Sequence, residues 1–506
     1  MSQKRVGILI SYLNLFLGMV VNIFLLPFLI SSLGDVDYSL YKVMQSFAGP
    51  LSMFHLGIST IVTRSIVQFG NDEKYTLKDK QNTMALSLLA SGVMAILVGM
   101  VGIGMCITIP DIYGQNYTND SIILGQKIFM LFMCSTVLHI MTDAFSGCMV
   151  GHEKFIPVSA VQLFKTILKG ILWIVFLKCG MGVVWIASVD LLISISSFLF
   201  SMGYAVFVLK ERPRFYYFDK KKLIEIFSFG LAILLQAIVN QVNNNVDNMI
   251  LGAYISDKAI VTMYSSALTV YAIYNSLIAV VANFFVPKAT RLISKNASGE
   301  ELTDFVIAPG RFQAIIAVAC IAGFTLFGKN FISVWIGERY INAYWIVLLL
   351  IIPVTVPLVE NTMISVLDAS LKRIYRSVTL VIMAVLNVII SIILVRFLSF
   401  WGVVIGTVLS LVIGHGFMMN IYYAKTFNLN ITRMFSSIFK GILMSGMLTL
   451  LICIPLAVFL PNTLIYFILK CLSFIVIYSV CLLLFGLNAS EKSLIFKMLH
   501  IKSHNG

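Results

Sequence analysis

Residues 84–110 read MALSLLASGVMAILVGMVGIGMCITIP, with no charge before Asp111. Wound as an α-helix at 1.5 Å per residue, the run extends about 40 Å, more than the roughly 30 Å hydrocarbon core of a bilayer. Lipid offers no hydrogen bonds, so a crossing segment satisfies its own backbone as a helix or closes into a barrel. The run is too long, and alternates too little, for a barrel strand. Working outward, charge-free stretches recur at 171–177, 183–189 and 191–209. Over all 506 residues, 59% are hydrophobic and 11% charged, against about 25% charged in a soluble domain. The expected class is an all-α polytopic membrane protein.

Apolar runs between polar breaks predict about fourteen transmembrane helices. They lie near 7–30, 39–63, 83–110, 123–150, 157–177, 183–209, 226–252, 260–286, 308–328, 343–367, 377–397, 402–424, 439–460 and 464–487. Lys42, Gln45, His55 and Arg64 interrupt the second. Lys and Arg in alternate connections set the orientation. Of 36, one set of connections holds 25, the other holds 6 (Lys127, Lys178, Lys258, Lys329, Arg339, Arg396), and five lie within helices (Lys42, Lys165, Lys169, Arg311, Lys470). The richer side is read as cytoplasmic and carries both termini. MSQKR at 1–5 resembles the start of a signal peptide, but no small-residue cleavage site follows 7–30, so that run is read as a retained first helix.

The net charge of +14 is distributed between apolar runs, which argues against nucleic acid as a partner and for membrane lipids. The basic stretch KERPRFYYFDKKK (210–222) suits the anionic inner leaflet. Eight cysteines lie in or beside apolar runs without a CxxC pair. They are read as small buried hydrophobes, with neither metal nor disulfide chemistry.

The chain also repeats after about 220 residues. DAFSGCMVGHEKF (143–155) and ENTMISVLDASLK (360–372) each place an acid before a turn with Lys. GVVWIASV (182–189) pairs with GVVIGTVL (402–409), and VTRSI (62–66) with ATRLI (289–293). The predicted organisation is two pseudo-symmetric six-helix lobes as parallel repeats, at 1–210 and 226–425. A basic cytoplasmic linker fills 211–225, two additional transmembrane helices fill 426–488, and a cytoplasmic tail 489–506. Pseudo-symmetric bundles of this kind are a transporter architecture.

LGDVDYSLYKVMQSFAGPLSMFHLGISTIVTR (33–64), GHEKF (151–155), FGLAILLQAIVNQVNNNVDNMILGAYIS (229–256), VPKATR (286–291) and FISVWIGERYINA (331–343) follow one another in order. Together they resemble the polysaccharide flippases of the multidrug/oligosaccharidyl-lipid/polysaccharide exporter superfamily. The resemblance implies flipping of a lipid-linked oligosaccharide, a polyprenyl-pyrophosphate-linked repeat unit, across a bacterial plasma (inner) membrane by alternating access between the lobes, for O-antigen, capsule or a related surface polysaccharide. A polysaccharide polymerase and glycosyltransferases are the implied partners. Tyr38-Ser39 replaces the common Tyr-Gly, and His55 stands where an Asp is common, so no family role is carried onto His55.

Ionisable groups inside a membrane are expensive and are functional candidates or halves of pairs. Lys165 and Lys169 lie i,i+4 on one helical face, as cations for the pyrophosphate; the alternative is internal pairing, with Asp190 for Lys169. Arg311, after Pro309-Gly310, meets the phosphate or anchors a helix end by snorkelling. Gln236, Asn240, Asn243, Asn244 and Asp247 form a polar stripe suited to sugar hydroxyls, or to bonding between helices. Asp143 and Glu360, at matching repeat positions, are gating or ion-coupling candidates with Arg64 and Arg291; helix-end anchoring is the alternative. No cofactor is expected, and coupling to H+ or Na+ is left open.

Two other functions compete. A cation-coupled multidrug exporter of the same superfamily tends to have twelve helices. A membrane polysaccharide polymerase or glycosyltransferase would need an outward loop bearing acids and bases for sugar activation; none is evident in the sequence, and the expectation is a transporter rather than an enzyme.

Overall fold

A computed structural model describes residues 3–52, 59–60, 62–64, 66–67, 76–218, 220, 243, 245–279, 285–370, 372, 374–461, 463–489 and 491–493, and among these there is no strand. The helices are α1 Gln3–Ser52, α2 Leu77–Tyr113, α3 Asn119–Gly151, α4 Phe155–Lys178, α5 Val183–Gly203, α6 Lys258–Ala279, α7 Val286–Ser294 and α8 Gly299–Ile336. They continue with α9 Ala343–Val359, α10 Thr362–Ala369, α11 Ile374–Leu398, α12 Phe400–Leu411, α13 Asn420–Phe427, α14 Ile431–Phe439, α15 Ile442–Phe459 and α16 Leu464–Cys481. The fold is all-α and polytopic.

Among the described residues, ten helices are long and apolar enough to cross a membrane, or eleven with the bent pair α9–α10. Two expected spans are concealed in that figure. At 50 residues, α1 would be about 75 Å long if straight, more than twice the hydrocarbon core. It is broken at Gly34 (φ 72°, ψ 173°), a backbone region essentially reserved for glycine, so it supplies the first two spans. α6 and the helical stretch at 245–254 occupy two further expected spans, and the total is close to fourteen. Residues 221–242 and His55 lie outside the described residues.

Several boundaries follow from capping. Ser298 accepts from the Glu301 amide at 3.3 Å, while the Glu301 carboxylate accepts from the Ser298 amide at 2.8 Å, satisfying two orphan donors reciprocally. α8 therefore starts at Gly299 rather than near 308, and Arg311 lies within the helix rather than at its start. The same box, Thr76 with Asp79, starts α2.

By contact, the helices group into two compact units, 1–265 with 388–403 and 266–387 with 404–506. The six-helix lobe division at 210–226 rests on the sequence repeat. In the first unit, α1 packs on α4 through Ser11–Ser159 (2.9 Å) and Thr166–Asn14 (2.7 Å). The linker docks on the start of α2, where Asn82 accepts from the amides of Tyr216 and Tyr217 and Asp79 accepts from the Tyr217 hydroxyl at 2.6 Å. Tyr216 and Tyr217, in the middle of the basic stretch, are therefore bonded to protein.

In the second unit, α8 is the hub. A Cβ on Gly310 would stand 2.7 Å from Val359 O and from Ile438 Cδ1, and one on Gly446 2.4 Å from Val318. The C-terminal pair α15–α16 packs here, with Tyr478 donating to Ile315 O at 2.8 Å. On the outer faces, Phe24, Phe207, Phe397 and Phe459 are 75–82% exposed, as expected of side chains that meet lipid instead of water.

Candidate substrate site

The first unit brings several charged side chains of its long helices together at one place. Lys169 on α4 stands with Nζ 2.6 Å from Asp190 Oδ1 on α5 and 4.5 Å from the Trp173 ring. The other Asp190 oxygen faces the Tyr41 hydroxyl at 3.5 Å. The Asp190 carbonyl accepts from Ser135 (3.2 Å) and Ser194 (2.7 Å), and Ser194 also reaches His139 Nε2 at 3.1 Å. These bonds tie α3, α4 and α5 together around the carboxylate and fix its position.

Lys42 enters from α1. Its Nζ lies 3.4 Å from Gln45 Oε1 and 5.7 and 6.0 Å from the rings of Tyr38 and Tyr41, and its charge interacts with those of Lys169 and Asp190. Tyr38 and Tyr41 are wholly buried; both follow the Gly34 break, which sets the direction of the second half of α1. Lys165, one turn before Lys169, has Asp143 as its charged neighbour. Among the described residues, three lysines thus face two aspartates, one cation in excess, and aromatic rings lie beside Lys42 and Lys169.

Sequence reading named Lys165 and Lys169 but passed over Lys42. The signal was present, because Lys42 and Gln45 break an apolar run three residues apart, on one helical face. Lys169 pairs with Asp190, the partner anticipated for it, and Lys165 has an acid nearby where none was foreseen.

The other candidates lie elsewhere. Arg311 is 3% exposed. Its guanidinium donates to both Glu491 oxygens (2.7 and 3.1 Å), to the carbonyls of Ser437 (2.7 Å), Ile438 (3.4 Å) and Lys440 (3.1 Å), and to that of Gly486 (2.7 Å). Five N–H donors meet six acceptors, so none is left for a phosphate, and Arg311 serves packing. Asp247 accepts from the Tyr264 hydroxyl, and Asn248 from Ser265 at 2.9 Å; this end of the polar stripe bonds helix to helix. Asn243 is half-buried; Gln236, Asn240 and Asn244 lie outside the described residues. Arg64 and Arg291 are exposed. Glu360 is buried at 3% exposure with an amide and a tyrosine beside it, whereas Asp143 neighbours a lysine, so the two acids of the repeat sit in different surroundings. Among the described residues no cluster of His, Cys, Asp and Glu could hold a metal.

Comparison with known proteins agrees with this architecture. The family profile for polysaccharide biosynthesis protein matches residues 6–292. No curated protein matches the chain. Among solved structures, the lipid II flippase MurJ in an inward closed conformation aligns with a TM-score of 0.75 at 14% identity, covering 98% of this chain and 99% of that one. An inward-facing multidrug resistance MATE family transporter of the MOP superfamily aligns with a TM-score of 0.64 at 16% identity, covering 82% and 99%. At these identities the likeness carries the fold alone.

Proposed function

The chain belongs to the polysaccharide biosynthesis protein family, and on that premise we propose that it flips a lipid-linked oligosaccharide across a bacterial plasma membrane by alternating access, with both termini in the cytoplasm. The observation that carries this reading is the cluster, among the described residues, of Lys42, Lys165 and Lys169 against Asp143 and Asp190. Inside a membrane an excess cation is tolerated beside water or an anionic ligand, and the pyrophosphate of a polyprenyl carrier supplies that anion. Trp173, Tyr38 and Tyr41 add apolar surface beside the charge. The flipped repeat unit then serves surface polysaccharide, O-antigen or capsule, built with a polymerase and glycosyltransferases.

A cation-coupled multidrug exporter is the second reading, since a MATE transporter shares the fold. Coverage favours the flippase reading. The MurJ alignment spans 98% of the chain and the MATE alignment 82%, in keeping with the C-terminal helix pair beyond a twelve-helix core. Deleting the gene and scoring both surface polysaccharide and lipid-linked repeat units separates the two. Loss of surface polymer with repeat units accumulating at the inner face is expected. Unchanged polymer with heightened drug sensitivity would favour the exporter.

A further inference from the structure

Two ion pairs differ in a way that bears on the candidate site. Arg311 and Glu491 are 3% and 9% exposed, and the guanidinium has an acceptor for every N–H. Lys169 and Asp190 keep 31% and 19% exposure, so neither is sealed into the bundle. Among the described residues the Lys169 ammonium donates to Asp190 alone, which leaves donors for a further anion. The two partners are also held unequally. Asp190 sits on backbone pinned by Ser135 and Ser194, and its second oxygen has the Tyr41 hydroxyl 3.5 Å away. Lys169 ends a flexible four-carbon stem. Its ammonium has a second resting place at the Trp173 ring, 4.5 Å off, where a cation–π contact holds it.

We infer that Asp190 stands in for the ligand's phosphate: it keeps Lys169 charged and aimed while the site is empty, and yields Lys169 to the pyrophosphate when the carrier arrives. This rests on the flippase reading and adds to it the residue that limits how tightly the carrier is held. Without an anion beside it, an ammonium inside the membrane is expensive, and Asp190 removes that cost in the empty protein. Once a phosphate enters, the same carboxylate repels it, so Asp190 and the phosphate compete for one cation. When Lys169 turns to the ligand, the Tyr41 hydroxyl remains as a donor to Asp190, and the Lys42 charge still acts on it. A substrate that must leave on the far side has to be bound weakly enough to go, as in ion conduction. Asp190 supplies that weakening at the residue that binds.

Titration calorimetry of the purified full chain in lipid nanodiscs, with inorganic pyrophosphate as the probe, tests the competition. Asp190→Asn should bind about 10-fold tighter than the wild type, the effect of one like charge removed from several ångströms away. Asp190→Glu keeps the charge and should stay near the wild type. A purely architectural pair gives the opposite result, because Asp190→Asn would then only loosen the site. The gain must also act through Lys169. In the neutral pair Asp190→Asn with Lys169→Gln, affinity should fall to the wild-type value or below. Equal or weaker binding by Asp190→Asn would overturn the inference, as would a gain that survives Lys169→Gln. If neither the wild type nor Asp190→Asn binds pyrophosphate, yet deleting the gene abolishes surface polymer, the inference fails and the flippase reading stands. If Asp190→Asn tightens binding through Lys169 but deletion leaves the polymer intact, the flippase reading fails and the competition stands.

Discussion

Lys169 Nζ and Asp190 Oδ1 lie 2.6 Å apart on adjacent helices, and the same ammonium lies 4.5 Å from the Trp173 ring. A pair taken out of water contributes little net stability, yet breaking it strands a charge. Asp190→Asn should therefore lower the protein's stability by about 1–3 kcal/mol, less than for a fully buried pair, because the Lys169 side chain keeps 31% exposure and solvent screens it. The exchanged pair, Lys169→Asp with Asp190→Lys, should regain the melting midpoint but not surface polysaccharide. If the exchange restores export as well, the pair is architectural and does not touch the carrier.

Arg311 and Glu491 clamp the C-terminal segment to α8, with side chains 3% and 9% exposed. Arg311→Ala should destabilise the second unit by about 3–5 kcal/mol, because it leaves a buried carboxylate uncompensated. Replacing both residues with Met should recover most of that loss. Burial raises the Glu491 carboxyl, but hydrogen bonds from Arg311 and the Asn488 amide, with the Arg311 charge, outweigh it and hold the group below its ordinary value of 4.5. A depressed folded-state value stabilises fully above pH 4.5, and the contribution is lost as pH falls through the lower folded value. Melting of the wild type should thus lose stability on acidification below 4.5 through this group, and the Met–Met variant should lack that component.

The fold was legible because lipid leaves the backbone few options, and a charge-free run such as 84–110 admits one of them. The number of spans was nearly as legible, even where two of them meet directly at the Gly34 break. Boundaries were harder. The start of α8 was set by the local capping box at Ser298 and Glu301, polar residues that hydropathy reads as loop. Arg311 shows the limit at the site. Its place in an apolar run was readable, but its depth was misjudged with the helix start, and its partner lies 180 residues later in the chain, a contact that no local pattern encodes. Lys169 and Asp190, on consecutive helices joined by a tight turn, could be paired from the sequence; Lys42, from a helix much earlier in the chain, could not.

Orientation rests on the placement of Lys and Arg. Single cysteines at Lys78 and Lys372, both exposed, in a background without native cysteine, should be shielded from impermeant thiol reagents in intact cells. Asp120, exposed in the first turn of α3, should be labelled from outside when replaced by cysteine. Labelling at Lys372 and protection at Asp120 would reverse the topology.

The excess cation is where substrate chemistry and packing can be told apart. Lys165 has Asp143 nearby and Lys169 has Asp190, whereas Lys42 faces Gln45 and two tyrosine rings. If the cluster served packing alone, removing Lys42 would relieve repulsion from Lys169 and leave or improve stability. If it binds a pyrophosphate, Lys42→Gln should retain the melting midpoint yet weaken carrier binding. A hydrogen bond to a charged group contributes about 1.5–3 kcal/mol, roughly 10- to 100-fold in affinity. Lys165→Gln should weaken binding similarly, but at some cost in stability, since it leaves Asp143 without its neighbouring cation. Lys42→Arg should keep part of the function because the charge is preserved while the shape is not. The decisive measurement scores surface polysaccharide and accumulated lipid-linked repeat units for Lys42→Gln and Lys42→Arg at matched expression. Wild-type export from Lys42→Gln and Lys165→Gln alike would remove the cluster from the transport path.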